Sequence, residues 1–205
     1  PVDITTAIRR AMDDSVQEVS ASRIIAANHF TVYASREDLF SLEASLDVLA
    51  DEFAQQATEH ASTNDYSLIG PVSVEFVADP SEPSGTLKVA AENRRGAAAP
   101  ATASSASPEH PIIDVDGDKW LLTEPVTVIG RGSEADIVVN DSGVSRRHLE
   151  LRITPTGVIA TDLGSTNGSF VEGHRIDAAT LLDGNQIVIG RTKILFWTHP
   201  DQSGV

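Results

Sequence analysis

The sequence predicts an α+β amino-terminal domain, in the order α-β-α-β-β, joined by a flexible linker to an all-β sandwich. Three observations carry that expectation. Apolar residues recur at helical spacing before residue 60 and over no useful length after it. Residues 93–111 lose all hydrophobic periodicity to Ala, Ser and Pro. Beyond them come short β-branched runs separated by turn residues every few positions. A chain of 205 residues is long enough to bury two modest cores. The boundaries expected are therefore 1–92, 93–111 and 112–200.

Ile4, Ile8, Ala11 or Met12, and Val16 or Val19 place a first amphipathic helix over residues 3–20, capped by Asp3. Residues 23–34 are rich in β-branched and aromatic side chains and read as a strand interrupted near Asn28. Ser35 followed three residues later by Asp38 has the capping-box pattern. Behind it, Leu39, Leu42, Leu46, Leu49, Phe53 and Ala57 form the stripe of a second helix, expected to be core. Residues 66–77 and 86–91 then alternate as strands across a Pro- and Ser-rich loop, so that helices cover one sheet face. His29 and His60 lie far apart without a matched acidic ligand set, and read as structural or exposed residues rather than metal ligands.

The linker stretch reads as a flexible coil spanning roughly 20–25 Å on average, with Thr102 a solvated spacer residue. After it, strands are expected at 112–116, 119–123, 126–131, 136–139, 149–154, 158–162, 169–172, 186–190 and 193–198. Asp116-Gly117 and Asp183-Gly184 mark turns between them.

Composition narrows the function. The charged and hydrophobic fractions, 22% and 40%, are those of an ordinary folded protein. No apolar run reaches the roughly 20 residues of a membrane helix, and no signal-peptide pattern opens the sequence. A cytoplasmic protein without direct membrane insertion is expected. With no cysteine, thiolate zinc sites and cysteine nucleophiles are excluded. A net charge of -15 repels polyanions, so nucleic acid is a poor partner. Seven basic residues stand against sixteen acidic ones up to residue 95, and eight against fourteen after it. Any anion site must be local.

Three short elements at strand ends offer one: Gly130-Arg131, Ser145-Arg146-Arg147-His148 and Gly164-Ser165-Thr166-Asn167-Gly168. Holding a phosphate dianion in a shallow surface site takes a guanidinium fork, hydroxyl donors and exposed backbone N–H groups, because charge-assisted hydrogen bonds contribute about 1.5 to 3 kcal/mol each. These loops contain all three. Their order and spacing, with Phe170 to Gly173 and Leu182 to Gly190 following, resemble the forkhead-associated (FHA) family over about 85 residues. The resemblance implies an FHA sandwich that binds phosphothreonine peptides. By it, Arg131, Ser145, Arg146 and Thr166 contact the phosphate and Asn167 holds the ligand's backbone, while Gly130, His148, Gly164 and Gly168 are structural. Arg147 is expected in a surface or scaffold role and Ser165 as a turn former.

Rival motifs fail. Asp114-Val-Asp-Gly-Asp118 has its glycine at the fourth position of a calcium loop and Pro125 where the glutamate belongs. Gly130-Arg-Gly132 does not continue as a dinucleotide fingerprint, and no Gly-Lys-Ser/Thr is present. His148 beside Ser145 lacks the acidic partner and elbow spacing of a hydrolase. No catalytic residue, metal site or cofactor is expected.

Ile8 to Asp14, Asn28 to Val32 and Tyr66 to Phe76 resemble the amino-terminal domain of the actinobacterial forkhead-associated protein A family. That resemblance implies an adaptor in bacterial Ser/Thr kinase signalling, regulating cell-wall synthesis. Its partners would be phosphothreonine proteins such as a Ser/Thr kinase or a phosphorylated pseudokinase region of a peptidoglycan-precursor flippase, which would recruit it to the membrane. Family members usually carry a segment ahead of the position of Pro1 and a longer linker, so a fragment or compact member is expected. The alternative is an enzyme with an unrecognised active site in residues 1–95, regulated by its FHA module. The sequence leaves oligomeric state open.

Overall fold

The computed structural model describes residues 3–21, 23–102 and 106–199. Residues 103–105 of the expected linker and residue 200 of the expected sandwich lie outside the described residues. The chain divides into two compact units at Arg95/Gly96.

The first unit opens with α1 (Ile4–Ser15), whose N-terminus is capped by the Asp3 carboxylate accepting from Thr5 N–H at 3.0 Å. Ile8 and Met12 are its buried residues. The helix stops at Ser15 rather than at residue 20. Ser15 Oγ donates to Met12 O at 2.6 Å and accepts from Ala27 N–H at 3.0 Å, a local alternative to continuing the helical ladder. Val16 and Val19, expected on the helical stripe, are exposed in and beside β1 (Gln17–Ser20). That strand pairs antiparallel with β2 (Arg23–Ile25).

The interruption at Asn28 has a physical cause. Its buried amide donates to Pro71 O at 2.9 Å and Arg94 O at 2.8 Å, and its Oδ1 accepts from Arg94 N–H at 2.8 Å. The central strand β3 (His29–Ala34) begins immediately after it. Ser35 Oγ accepts from Asp38 N–H at 3.1 Å to start α2 (Arg36–Leu42). A 3-10 turn at Glu43–Ser45, whose three residues are exposed, separates this helix from α3 (Leu46–Thr63). The expected core stripe is accordingly only partly buried. Ala57 is fully covered, Leu39, Leu46, Leu49 and Phe53 are half-buried, and Leu42 is exposed. Next come β4 (Tyr66–Ser67), β5 (Ser73–Ala78) and β6 (Leu87–Glu92). They complete two three-stranded sheets, β1-β2-β4 and β5-β3-β6, with β3 parallel to β5 and antiparallel to β6.

The second unit is a sandwich. One sheet has the order β11-β10-β12-β13-β16, from β10 (Val126–Gly130), β11 (Ile137–Val138), β12 (Leu149–Thr154), β13 (Gly157–Asp162) and β16 (Ala178–Leu181). The other runs β15-β14-β17-β18-β8-β9-β7. It uses β7 (Ala98–Pro100), β8 (Ile112–Val115), β9 (Asp118–Leu122), β14 (Ser169–Val171), β15 (His174–Ile176), β17 (Gln186–Ile189) and β18 (Thr192–Trp197). Alternate residues of both sheets fill the core, including Ile113, Leu122, Ile129, Leu149, Leu151, Ile187, Ile194 and Phe196.

Part of the expected spacer belongs to this sandwich. Ala98 and Ala99 are buried, and β7 pairs antiparallel with β9 from Ala98↔Leu122 to Pro100↔Trp120. Thr123 Oγ1 donates to Gly96 O at 2.7 Å and Thr123 N–H to Ala97 O at 2.9 Å. Small side chains fit where β7 closes on the core, and Pro100 is tolerated on an edge strand. The flexible coil expected over 93–111 is therefore corrected at Ala98–Pro100, which is an edge strand of the sandwich.

Candidate functional site

The loops after β10, before β12 and before β14 meet at one end of the sandwich. Arg131 N–H donates to Ser145 O at 2.9 Å and Gly132 N–H to Arg146 O at 3.0 Å. This close approach needs Gly130, where a Cβ would stand 2.1 Å from Arg146 O. Arg131 Nε donates to Val144 O at 3.0 Å, which anchors an exposed side chain. Ser145 Oγ accepts from Thr166 N–H at 3.1 Å, joining the second loop to the third. Asn167 Nδ2 donates to Gly143 O at 2.9 Å, while its own side chain is exposed. The five side chains expected at the site thus come from three loops stitched together by hydrogen bonds.

His148 is fully buried beneath them. Its Nδ1 accepts from Ser145 N–H at 2.9 Å, so the ring proton sits on Nε2, which donates to Gly168 O at 2.8 Å. The imidazole fixes the heights of the second and third loops relative to each other. Asp162 organises the third loop, accepting from Ser165 N–H at 3.0 Å and from Ser165 Oγ and Ser169 Oγ at 2.6 Å each. Burial pushes the Asp162 carboxyl up, but those three bonds and nearby His148 outweigh it and hold it below the usual carboxylate value. Ser165 accepts in turn from Gly168 N–H at 2.9 Å. Gly164 and Gly168 have φ of 68° and 85°, the left-handed region.

Several contributors carry no signal in the sequence. Asp141 accepts from Gly143 N–H, Arg191 N–H and Thr192 Oγ1, each at 2.8 Å, and so positions the carbonyl that Asn167 grips. These bonds, that of Gly143 foremost, lower its pKa. Arg175 lies against the third loop, its Nε 3.0 Å from where a Cβ on Gly168 would be. Glu134 holds Arg146 through two bonds, Nε to Oε1 at 3.0 Å and Nη2 to Oε2 at 2.8 Å. Arg147 is exposed.

In the first unit, His60 Nε2 lies 2.8 Å from Asp13 Oδ1, and Tyr66 donates to the same oxygen at 2.9 Å, tying α3 to α1. Buried His29 has Ser73 Oγ 2.6 Å from Nδ1 and Glu75 Oε1 3.3 Å from Nε2. These residues are cross-strand neighbours on β3 and β5. The unit's apolar cleft, of about 260 Å³, is lined by Val32 and Ala34, which alternate to the other face of β3. Among the described residues no group of three His, Cys, Asp or Glu could hold a metal, and no helix is long and apolar enough to cross a membrane.

Residues 127–190 match the FHA domain family, which makes this chain an FHA-domain protein. Residues 1–90 match the FhaA N-terminal domain, so among FHA proteins it resembles FhaA. The chain is similar to the glycogen accumulation regulator GarA of Mycolicibacterium smegmatis, 39% identical over 90 residues, covering 43% of this chain and 57% of GarA. It is 38% identical to the oxoglutarate dehydrogenase inhibitor of Corynebacterium glutamicum over 84 residues, covering 41% and 59% of the two chains. Its match to the FHA domain-containing protein FhaA of Mycobacterium tuberculosis is 38% over 86 residues, 42% of this chain and 16% of FhaA. The matched stretch is thus little more than half of the first two relatives. Among solved structures, the FhaA FHA domain complexed with the intracellular domain of Rv3910 is 36% identical, covering 42% of this chain and 98% of that one, with a TM-score of 0.41.

Proposed function

We propose that this chain is a non-enzymatic reader of phosphothreonine, with Arg131, Ser145, Arg146 and Thr166 contacting the phosphate and Asn167 holding the peptide backbone of the partner. The observation that carries this reading is the convergence of those five residues, from three loops, on one end of the sandwich. A guanidinium, a hydroxyl and an anchored amide at one exposed point suit a phosphate on an extended peptide better than a buried small molecule. The fixed scaffold beneath, His148 with Asp162 and Asp141, means that little ordering cost accompanies binding.

The regulatory names of GarA and the oxoglutarate dehydrogenase inhibitor favour an adaptor role. The FhaA-like first unit favours bacterial Ser/Thr kinase signalling toward cell-wall synthesis. A Ser/Thr kinase or a phosphorylated pseudokinase region of a flippase is the corresponding partner class, and would bring the chain to the membrane. The test is capture of lysate proteins on the immobilised chain before and after phosphatase treatment, with Arg131→Ala alongside. Phosphatase-sensitive capture lost in the variant is expected. Capture indifferent to both treatments would overturn the reading.

The Ser73–His29–Glu75 contact favours a second reading, hydrolysis in the first unit. Covalent labelling of Ser73 by a fluorophosphonate, absent in His29→Ala, would support it. An unlabelled Ser73 dismisses it.

A further inference from the structure

The guanidinium of Arg146 is already engaged. Glu134 presents both carboxylate oxygens to its Nε–Nη2 edge, the same bidentate geometry an arginine offers a phosphate. Local structure builds the carboxylate into that place. Gly132 leaves room for it, since a Cβ there would stand 2.4 Å from Glu134 Oε2. Ala135 N–H donates to Gly132 O at 3.1 Å, closing the turn that carries Glu134, and Gly132 N–H holds the backbone of Arg146 itself. The Arg146 hydrogen bond keeps Glu134 below the usual carboxylate range, and the pair therefore stays ionised at neutral pH.

We propose that Glu134 is an internal competitor at the phosphate site: its carboxylate occupies Arg146 in the free chain, and a phosphothreonine must take the guanidinium from it. The proposal rests on the reading of Arg131, Ser145, Arg146 and Thr166 as a phosphate site. The exchange is set up to be won by phosphate. With side chains 58% and 43% exposed, the Arg146–Glu134 pair is held weakly, whereas a phosphate brings close to two charges and three acceptor oxygens. A carboxylate on an incoming peptide gains nothing comparable, because it only replaces one carboxylate by another. Glu134 thereby lowers affinity and raises selectivity for the dianion. Apparent affinity is reduced by the fraction of time Arg146 is held away. For an exposed pair that factor is about twofold to fivefold.

The experiment is a double-mutant cycle on the full chain, using a phosphothreonine peptide pool randomised at its flanking positions and read by fluorescence titration. Glu134→Gln keeps the shape and removes the charge. It should tighten binding about twofold to fivefold in the wild-type background and change nothing in an Arg146→Ala background. Weaker or unchanged binding in Glu134→Gln would overturn the competitor role and make Glu134 a positioning residue or a bystander. An equal gain in both backgrounds would also overturn it, reducing the effect to general electrostatics. Arg131→Ala separates the two levels of argument. If it binds the pool as wild type does, the phosphate-site reading itself fails and the inference falls with it; if it loses binding, the cycle judges Glu134 alone.

Discussion

Arg131 commits its Nε to Val144 O, and its side chain is exposed. Removing it deletes charge-assisted donors and, within the fold, the one bond to the Val144 carbonyl. Arg131→Ala should weaken phosphopeptide binding at least about tenfold, roughly 1.4 kcal/mol, with the domain still folded. Calorimetry beside a melting curve checks both halves, and unaltered affinity in a folded variant refutes the assignment. His148 is the opposite case. His148→Ala strands Ser145 N–H and Gly168 O, so it should destabilise the second unit by about 2 to 4 kcal/mol, measured by denaturant unfolding. A drop under 1 kcal/mol would mean that water or a shifted loop replaces the ring. Acidity separates ligand from scaffold. Asp162 and Asp141 have depressed pKa values in the fold, so their stabilising contribution is complete above about pH 4 and disappears as pH falls through their lowered values. The ligand phosphate loses its second charge near pH 6. Affinity should therefore decline between pH 7 and 5 while near-UV circular dichroism stays constant; a parallel loss of both signals would contradict this ordering.

Strands of the sandwich are legible wherever a β-branched run lies between turn residues, as at Val126–Gly130 and Leu149–Thr154. They are illegible where packing rather than propensity decides. Ala98–Pro100 has no β-former, and becomes a strand because two methyl groups fit an edge already shaped by β9. The expected helix over residues 3–20 is present but ends early, at Ser15, for a related reason: Val16 and Val19 match its period, but Ser15 redirects the chain. The site divides along the same line. Arg131, Ser145 and Asn167 stand in short motifs and could be found by eye. Glu134, Asp141 and Asp162 look like ordinary turn acids, and Asp141 reaches a partner 51 residues away in sequence. The edge strand is open to test. A fragment beginning at Ile112 loses β7 and exposes the core beneath it, so it should melt at least about 5 °C below one beginning at Gly96. Equal midpoints would show that β7 adds nothing to stability.

On the scale of the whole chain, a net charge of -15 requires any anion site to be local, and the proposed site places it on the three loops. All five proposed ligand-contacting residues lie in the second unit. Residues 96–205 alone should accordingly bind a phosphothreonine peptide within about twofold of the full chain, by titration of both. A tenfold loss on removing the first unit would assign part of the site to it. Equal affinity for threonine and phosphothreonine would end the phosphate reading. The carboxylate resting on Arg146 bears on how such a protein can be studied in a cell. Replacing a partner's threonine by Asp or Glu, the usual genetic stand-in for phosphorylation, would offer the loops only what Glu134 already supplies. Such a partner should behave as if it had never met a kinase, and the signal relayed by this chain would be written only by a kinase and erased only by a phosphatase.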